Sequence, residues 1–142
     1  MDPIPESYVD LMPCDETLLV ELGRVTWASA RLHAGVRDAI NRLDGASSDK
    51  PFRTTLGSAV SDLRKKAVAC ARQDIVDWVD DYGMPAVKQH RNKVAHAVTY
   101  TAPDGTQAIQ TDDHSPPGRF LNPELREVSR VLIEAHARLP AT

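Results

Sequence analysis

A single stripe of apolar and small side chains constrains the fold of this chain more than any other feature of its sequence. Its members recur at steps of three and four residues: Leu18, Leu22, Val25, Ser29, Leu32, Val36, Ile40 and Leu43. Side chains at this spacing lie on one face of an α-helix, whereas a half-buried strand alternates at every second residue. The stripe therefore predicts a long amphipathic helix that must bury one face against other elements.

Shorter stripes predict the helices that pack against the first one. The second stripe consists of Leu56, Val60, Leu63, Ala67 and Cys70, and its character continues through Ile75, Trp78, Val79 and Tyr82. The pattern leaves open whether a break falls near Ala71. Gly83 and Pro85 favour a turn after Tyr82, because glycine and proline together interrupt helices and proline suits a first helical turn. A further helix is then predicted from Pro85 to about Val98.

The remainder of the chain predicts a hairpin, a loop and a last helix. Two short alternating runs in residues 99–110 flank Pro103-Asp104-Gly105, which is typical turn chemistry, so a small β-hairpin is expected there. Residues 111–121 are rich in proline and glycine and predict a loop. Asn122 and Pro123 suit the N-cap and first position of a helix. Its apolar stripe is Leu125, Val128, Leu132, Ala135 and Leu139.

These elements together predict an all-α fold. We expect an up-and-down bundle of four or five helices over residues 17–139, with the small β-hairpin inserted before the last helix. Residues 1–16 contain three prolines among polar residues and predict an irregular N-terminal arm. Hydrophobic residues make up 42% of the chain and aromatic residues only 5%, a balance that suits helix–helix interfaces better than a β-sandwich core.

Charge and cysteine content exclude several classes of function. The net charge of −3 argues against a protein that coats nucleic acid through its overall charge, although local basic patches occur at residues 64–66 and 88–96. The two cysteines, Cys14 and Cys70, predict neither a disulfide framework nor a cysteine zinc site. The chain has no signal peptide pattern and no apolar run long enough for a bilayer, so a cytoplasmic protein without membrane contact is expected.

The segment from Lys88 to His96 carries the residues best suited to chemistry. In a regular helix Asn92 and His96 lie about 40° apart on one face, with Lys88 one turn before them, whereas Arg91 lies about 140° from His96. Two arrangements would bring Arg91 and His96 together: fraying of the helix near its end, or contact across a symmetric dimer. Either arrangement would combine a guanidinium, an amide and an imidazole.

That combination suits cleavage of RNA phosphodiesters. An imidazole exchanges protons near neutral pH, so His96 is a candidate acid or base toward a 2′-hydroxyl or a leaving oxygen. The guanidinium of Arg91 can grip phosphate oxygens and stabilise the charge that develops on them. The amide of Asn92 can orient the imidazole or bind the phosphate. No metal and no cofactor is required by this chemistry.

The stretch Arg91-Asn92-x-x-x-His96 resembles the R-x(4–6)-H motif of the HEPN superfamily, in which the residue after the arginine is usually Asn, Asp or His. HEPN domains are helical bundles with this motif near the end of a late helix, and the similarity of helical pattern covers roughly residues 17–139. One branch of the family has a tyrosine two residues after the histidine that a partner nucleotidyltransferase modifies. Val98 stands there in this chain, which departs from that branch.

The resemblance implies a metal-independent endoribonuclease that acts as a homodimer, with the two motifs facing each other. Arg91, Asn92 and His96 would then be catalytic, and Lys88 and Lys93 would bind the RNA substrate. Many HEPN proteins are toxins of toxin–antitoxin or phage-defence systems, which makes a cognate antitoxin a candidate partner. The alternative is a non-catalytic HEPN-like module that binds a protein or nucleotide, and a plain helical interaction domain is a third interpretation.

Other conspicuous residues have structural interpretations. The basic run at residues 64–66 is expected to be a solvated helix face. His33 is predicted to flank the apolar stripe or to lie in an interface, and Trp27 and Trp78 are predicted to lie in the core or in a dimer interface. The run Asp112-Asp113-His114 lacks the spaced partners of a metal site and is interpreted as a polar loop.

Overall fold

A computed structural model describes residues 2–101, 103–111, 118–120 and 122–142 of this chain. It is mostly helical, with a small antiparallel sheet before the last helix, which confirms the predicted fold class. Within the described residues, no helix is both long enough and apolar enough to cross a membrane. The N-terminal arm contains a short 3-10 helix, Glu6–Leu11, which buries none of its side chains.

The long predicted helix forms as helix α1, Glu16–Asp44. Its start is capped by Asp15, whose carboxylate accepts a hydrogen bond of 2.9 Å from the backbone N–H of Leu18. It ends at Gly45, which adopts a left-handed conformation with φ of 67°. That conformation allows the N–H of Ala46 to reach back to the carbonyl of Asn41, so the free carbonyls of the last turn are satisfied.

Helix α2, Leu56–Ala69, follows a short 3-10 helix, Lys50–Arg53, and it ends where the sequence pattern was ambiguous. Ala71 has a positive φ of 55°, the only such non-glycine value in the described residues. The N–H of Ala71 bonds to the carbonyl of Val68, and that of Arg72 to the carbonyl of Ala67, at 3.2 and 2.8 Å. These two bonds form a Schellman motif, so the chain breaks at Ala71 despite the lack of a glycine there.

The chain is then continuously helical over residues 73–95, so the turn predicted after Tyr82 is wrong. Helix α3, Gln73–Trp78, continues through two wider π-helical turns, Val79–Gly83 and Ala86–Arg91, into helix α4, Asn92–Ala95. Met84 and Pro85 themselves are helical. Proline removes one helical N–H donor, and the altered bonding of the wider turns on either side absorbs that loss.

Gly83 has a packing role rather than the turn role that its type suggested. A Cβ atom placed on Gly83 would lie 2.7 Å from Cζ3 and 2.8 Å from Cη2 of the Trp78 ring. The ring therefore occupies the space that any larger residue would need. Trp78 is only 3% exposed, and its Nε1 donates a hydrogen bond of 2.8 Å to the carbonyl of Ala135.

The predicted hairpin is confirmed, and it gains a third strand. Strand β1, Val98–Thr101, pairs antiparallel with strand β2, Gln107–Thr111, around a turn that includes Gly105 with φ of 88°. Strand β3, Gly118–Phe120, pairs antiparallel with β2, so the loop predicted for residues 111–121 is wrong at Thr111 and at 118–120. The run Asp112-Asp113-His114 lies outside the described residues. Helix α4, which precedes the hairpin, ends at Ala95, three residues before the end predicted near Val98.

The last helix, α5, spans Asn122–Ala137 and packs along α1, which also contacts α2. The largest fully buried side chains come from all of the long helical segments: Leu32, Val36, Val60, Leu63, Ile75, Val79, Val87, Leu125 and Leu132. Glu21 on α1 is buried as well, and its Oε1 accepts hydrogen bonds from Arg24 and from Arg126 of α5. This carboxylate therefore ties α1 to α5 beside the apolar core.

The space around Gly83 differs from that around Gly23, which predicts opposite effects on stability when each is changed to alanine. Gly83→Ala should lower the free energy of unfolding by about 1–3 kcal/mol, because the new methyl group overlaps the indole ring. Gly23→Ala in α1 meets no atom within 4 Å and should raise the free energy of unfolding by about 0.5–1 kcal/mol through helix propensity. Urea denaturation of both variants measures the two values. Equal stability of the two would contradict the packing described for Trp78.

Candidate functional site

Arg91 and Asn92 lie at the junction between the second π turn and α4. Arg91 is the last residue of the π turn, Asn92 is the first residue of α4, and both are half-buried. Nη1 of Arg91 donates a hydrogen bond of 3.0 Å to Oδ1 of Asn92. The asparagine thus restricts the guanidinium, whose other N–H groups have no partner among the described residues and can bind an anion.

His96 follows one helical turn after Asn92. Its backbone N–H donates a 2.9 Å hydrogen bond to the carbonyl of Asn92, so helical geometry extends to this position although α4 ends at Ala95. The predicted common face of Asn92 and His96 is consistent with that bond. The side chain of His96 is exposed. Among the described hydrogen bonds, none joins His96 to Arg91.

A groove of about 300 Å³ runs between α1 and the segment that carries Arg91. We call it the Arg91 groove; it is lined by Val25, Thr26, Ser29, Ala30, His33, Leu56, Arg91, Val94 and Ala95. Its wall is mainly apolar, and Arg91 contributes its fixed positive charge. Asn92 and His96 are not among its lining residues. The groove therefore offers an anion-binding group beside a surface suited to an apolar or aromatic ring.

His33 is the residue of this groove that the sequence did not assign to the site. Its Nε2 lies 2.6 Å from the carbonyl oxygen of Pro51, and its ring meets the ring of Phe52 edge-on at 4.8 Å. Because a carbonyl only accepts, Nε2 must carry the proton, and Nδ1 of the neutral ring is then an acceptor. No sequence signal pairs His33 with Arg91, since the two residues meet only through the packing of α1.

The two lysines predicted to bind substrate occupy different positions. Lys88 is exposed on the second π turn, and Lys93 is half-buried on α4. Neither lines the Arg91 groove. The π turn changes the rotation of each residue about the helix axis, so the angle between Lys88 and Asn92 differs from that of the regular helix assumed for the prediction.

In the described part of the chain, no ion pair neutralises the basic residues of this segment. Among the described ion pairs, none includes Lys88, Arg91 or Lys93. In the other basic run, by contrast, Arg64 binds Asp80 through two hydrogen bonds of 2.8 and 3.1 Å, and Lys66 binds Asp44. The positive potential of the molecule is therefore expected to be stronger around Arg91 than along α2.

His90, on the second π turn, faces the last helix rather than the Arg91 groove. It is half-buried, and this burial is the main reason that the pKa of its imidazole lies below its usual value of 6.5. The positive charges of Lys93 and Arg130 lower this pKa further, while the carboxylate of Glu127 opposes them. His90 therefore keeps its neutral form to a lower pH than an ordinary histidine, a property that the sequence pattern alone did not reveal.

Metal ligation has no support in the described part of the chain, where no three His, Cys, Asp or Glu side chains cluster in a way that would hold an ion. Cys14 and Cys70 are both exposed free thiols. Comparison with known proteins gives no assignment: no family model matches the chain, and neither a curated protein nor a solved structure shows significant similarity to it.

The lowered pKa of His90 predicts a specific dependence of stability on pH. Below about pH 6.5 the unfolded chain binds a proton at this imidazole, whereas the folded chain remains neutral there until the pH reaches the lower folded pKa. The free energy of unfolding should therefore fall with pH from about 6.5 downward and level off below the folded pKa. His90→Gln should remove this contribution, which urea denaturation at about pH 7.5 and about pH 5.5 would show.

The matched control for that prediction is His96→Gln, because His96 is exposed at the end of α4. The control should keep the pH dependence of the parent protein between the same two pH values. If His90→Gln also keeps it, burial of His90 against α5 does not set the pKa as described.

Proposed function

We propose that this protein is a metal-independent endoribonuclease of the HEPN type. The observation that carries the proposal is the guanidinium of Arg91, held by Asn92 at the wall of a groove and free of ion pairs among the described residues. His96, whose side chain is exposed, follows one helical turn after Asn92. The R-x(4)-H spacing is the reason for proposing the HEPN family. The half-buried guanidinium of Arg91 is suited to binding an anion.

The proposed reaction is transesterification of RNA. The 2′-oxygen attacks the adjacent phosphorus, the bond from phosphorus to the 5′-oxygen breaks, and a 2′,3′-cyclic phosphate forms. One proton leaves the 2′-hydroxyl and one is delivered to the 5′-oxygen, and His96 serves as the base or the acid in this exchange. Arg91 stabilises the negative charge on the non-bridging phosphate oxygens in the transition state.

A homodimer is part of the proposal, since no described hydrogen bond joins Arg91 to His96 within one chain. Two copies related by a twofold axis would place two Arg91 and two His96 side chains in one cleft. Lys88 and Lys93 would add positive charge for the RNA backbone. A role as a toxin or phage-defence effector, with a cognate antitoxin as partner, follows from the family to which we assign the chain.

The alternative function is a non-catalytic HEPN-like module. The observation that favours it is the mainly apolar Arg91 groove, which includes neither Asn92 nor His96. In that case the groove would bind a protein or a nucleotide, with Arg91 holding an acidic side chain or a phosphate. The two functions differ in whether Arg91 is needed for turnover or for binding alone.

Cleavage of RNA by purified protein in EDTA tests the proposed activity. Arg91→Ala and His96→Ala should each lower the cleavage rate by about 100-fold or more, the usual effect of removing an oxyanion stabiliser or a general acid–base. Lys65→Ala, which removes an exposed positive charge from α2, is the matched control and should retain the parent rate. Total RNA and a tRNA pool serve as substrates, and circular dichroism confirms that each variant is folded.

The two functions predict different outcomes in this experiment. A parent protein that is folded, dimeric and inert on every RNA, and in which Arg91→Ala abolishes nucleotide or protein binding, would support the binding module instead. Equal cleavage by the parent and all variants would mean that Arg91 and His96 are not the catalytic residues.

A further inference from the structure

The N-terminal arm, residues 2–15, exposes an unusual amount of apolar surface. Every residue from 2 to 17 is exposed. Five large apolar side chains in the arm are more than half exposed: Ile4, Tyr8, Val9, Leu11 and Met12. The arm is nevertheless ordered around its 3-10 helix, in which the N–H of Tyr8 bonds to the carbonyl of Pro5 at 3.0 Å. It is thus a preformed apolar segment without contacts that bury it.

A second unpartnered apolar surface lies between α1 and α5. We call it the Trp27 groove; it has a volume of about 450 Å³ and is lined chiefly by Val20, Gly23, Trp27, Ala28, Ser129 and Ile133. Trp27 is 71% exposed, and Val20 and Ile133 are also more than half exposed. A tryptophan so exposed beside aliphatic side chains is typical of a surface that binds a partner.

The charges of the two surfaces are complementary. Asp2, Glu6 and Asp10 lie in the arm before the capping residue Asp15, and residues 1–15 contain no lysine or arginine. Arg24 and Arg31 border the Trp27 groove, and Arg126 lies beside it on α5. Arg24 and Arg126 share the single carboxylate of Glu21, and Arg31 has no ion pair among the described residues, so these three arginines leave an excess of positive charge. Opposite charges around paired apolar surfaces favour one docking orientation and disfavour others.

We propose that the Trp27 groove binds the N-terminal arm of a second copy of this chain. Each copy then donates one arm and receives one, which gives a closed, twofold-symmetric dimer with two identical contacts. The arm's apolar side chains cover Trp27 and Ile133, and its carboxylates approach the arginines of the rim. A second copy is the occupant because its acidic, apolar arm complements the basic rim and apolar wall of the Trp27 groove, and no arm residue lines that groove in its own chain.

This proposal does not rest on the ribonuclease function. The Trp27 groove is lined by different residues of α1 from those of the Arg91 groove, and none of the proposed catalytic residues contributes to it. The variants below change no lining residue of the Arg91 groove, so the fold of each chain and the groove itself are expected to be preserved. An inactive protein could exchange arms, and an active one could dimerise through another surface.

Sedimentation velocity over a range of protein concentrations tests the exchange of arms. The arm variant Val9→Ser/Leu11→Ser and the groove variant Trp27→Ser should each raise the dimer dissociation constant by about tenfold or more, as expected for central interface residues. Val68→Ser is the matched control, because Val68 is similarly exposed but lies on α2, and it should leave dimerisation unchanged. All of these side chains are exposed, so the folded state should persist.

An equimolar mixture of the arm variant and the groove variant gives the decisive result. The mixed dimer contains one intact arm facing one intact groove, so the mixture should dimerise more tightly than either variant alone. A parent dimer that is insensitive to both variants would overturn the proposal, as would a parent protein that remains monomeric at every concentration.

Fluorescence of Trp27 separates docking between copies from docking within one chain. Docking removes Trp27 from water, so its emission should move to shorter wavelength as the parent concentration rises, while buried Trp78 contributes a constant background. The arm variant should not show this change. A shift that is independent of concentration and lost in the arm variant would mean that the arm folds back on its own chain, which contradicts the exchange.

Discussion

The hydrogen bond between Trp78 Nε1 and the carbonyl of Ala135 is the contact on which the position of the candidate site depends. A buried indole N–H without an acceptor would be costly, so this bond fixes the end of α3 against α5. The indole ring occupies the space above Gly83, so that position, one turn after Trp78, excludes a larger residue. Because the chain is helical without a break from Trp78 to Ala95, the same anchor determines where Arg91 meets α1.

Hydrophobic periodicity was sufficient to predict most of the fold. The stripes of α1, α2 and α5 indicate which face of each helix is buried. The sequence Pro103-Asp104-Gly105 indicates a turn, because these residue types favour turn conformations of the backbone. The pattern failed where tertiary contacts override local preference. Ala71 adopts a left-handed conformation that alanine disfavours, and Gly83 and Pro85 remain helical because Trp78 and the π turns accommodate them.

The candidate site was predictable only in its local part. Arg91, Asn92 and His96 are close in sequence, so their spacing on one helical segment follows from helix geometry alone. His33 is remote in sequence and reaches the Arg91 groove because α1 packs beside that segment. The lowered pKa of His90 likewise depends on burial, which no local pattern encodes.

Because of the π turns, the number of residues between Trp78 and Arg91 affects the direction in which the Arg91 side chain points. Each wider turn holds more backbone per revolution than an α-helical turn, as though an extra residue had been inserted into a regular helix. Removing one residue from such a turn would restore α-helical bonding locally and rotate every later side chain about the axis. The direction in which Arg91 points is therefore determined by segment length, so single-residue insertions and deletions offer evolution a means of turning the groove without changing its residues.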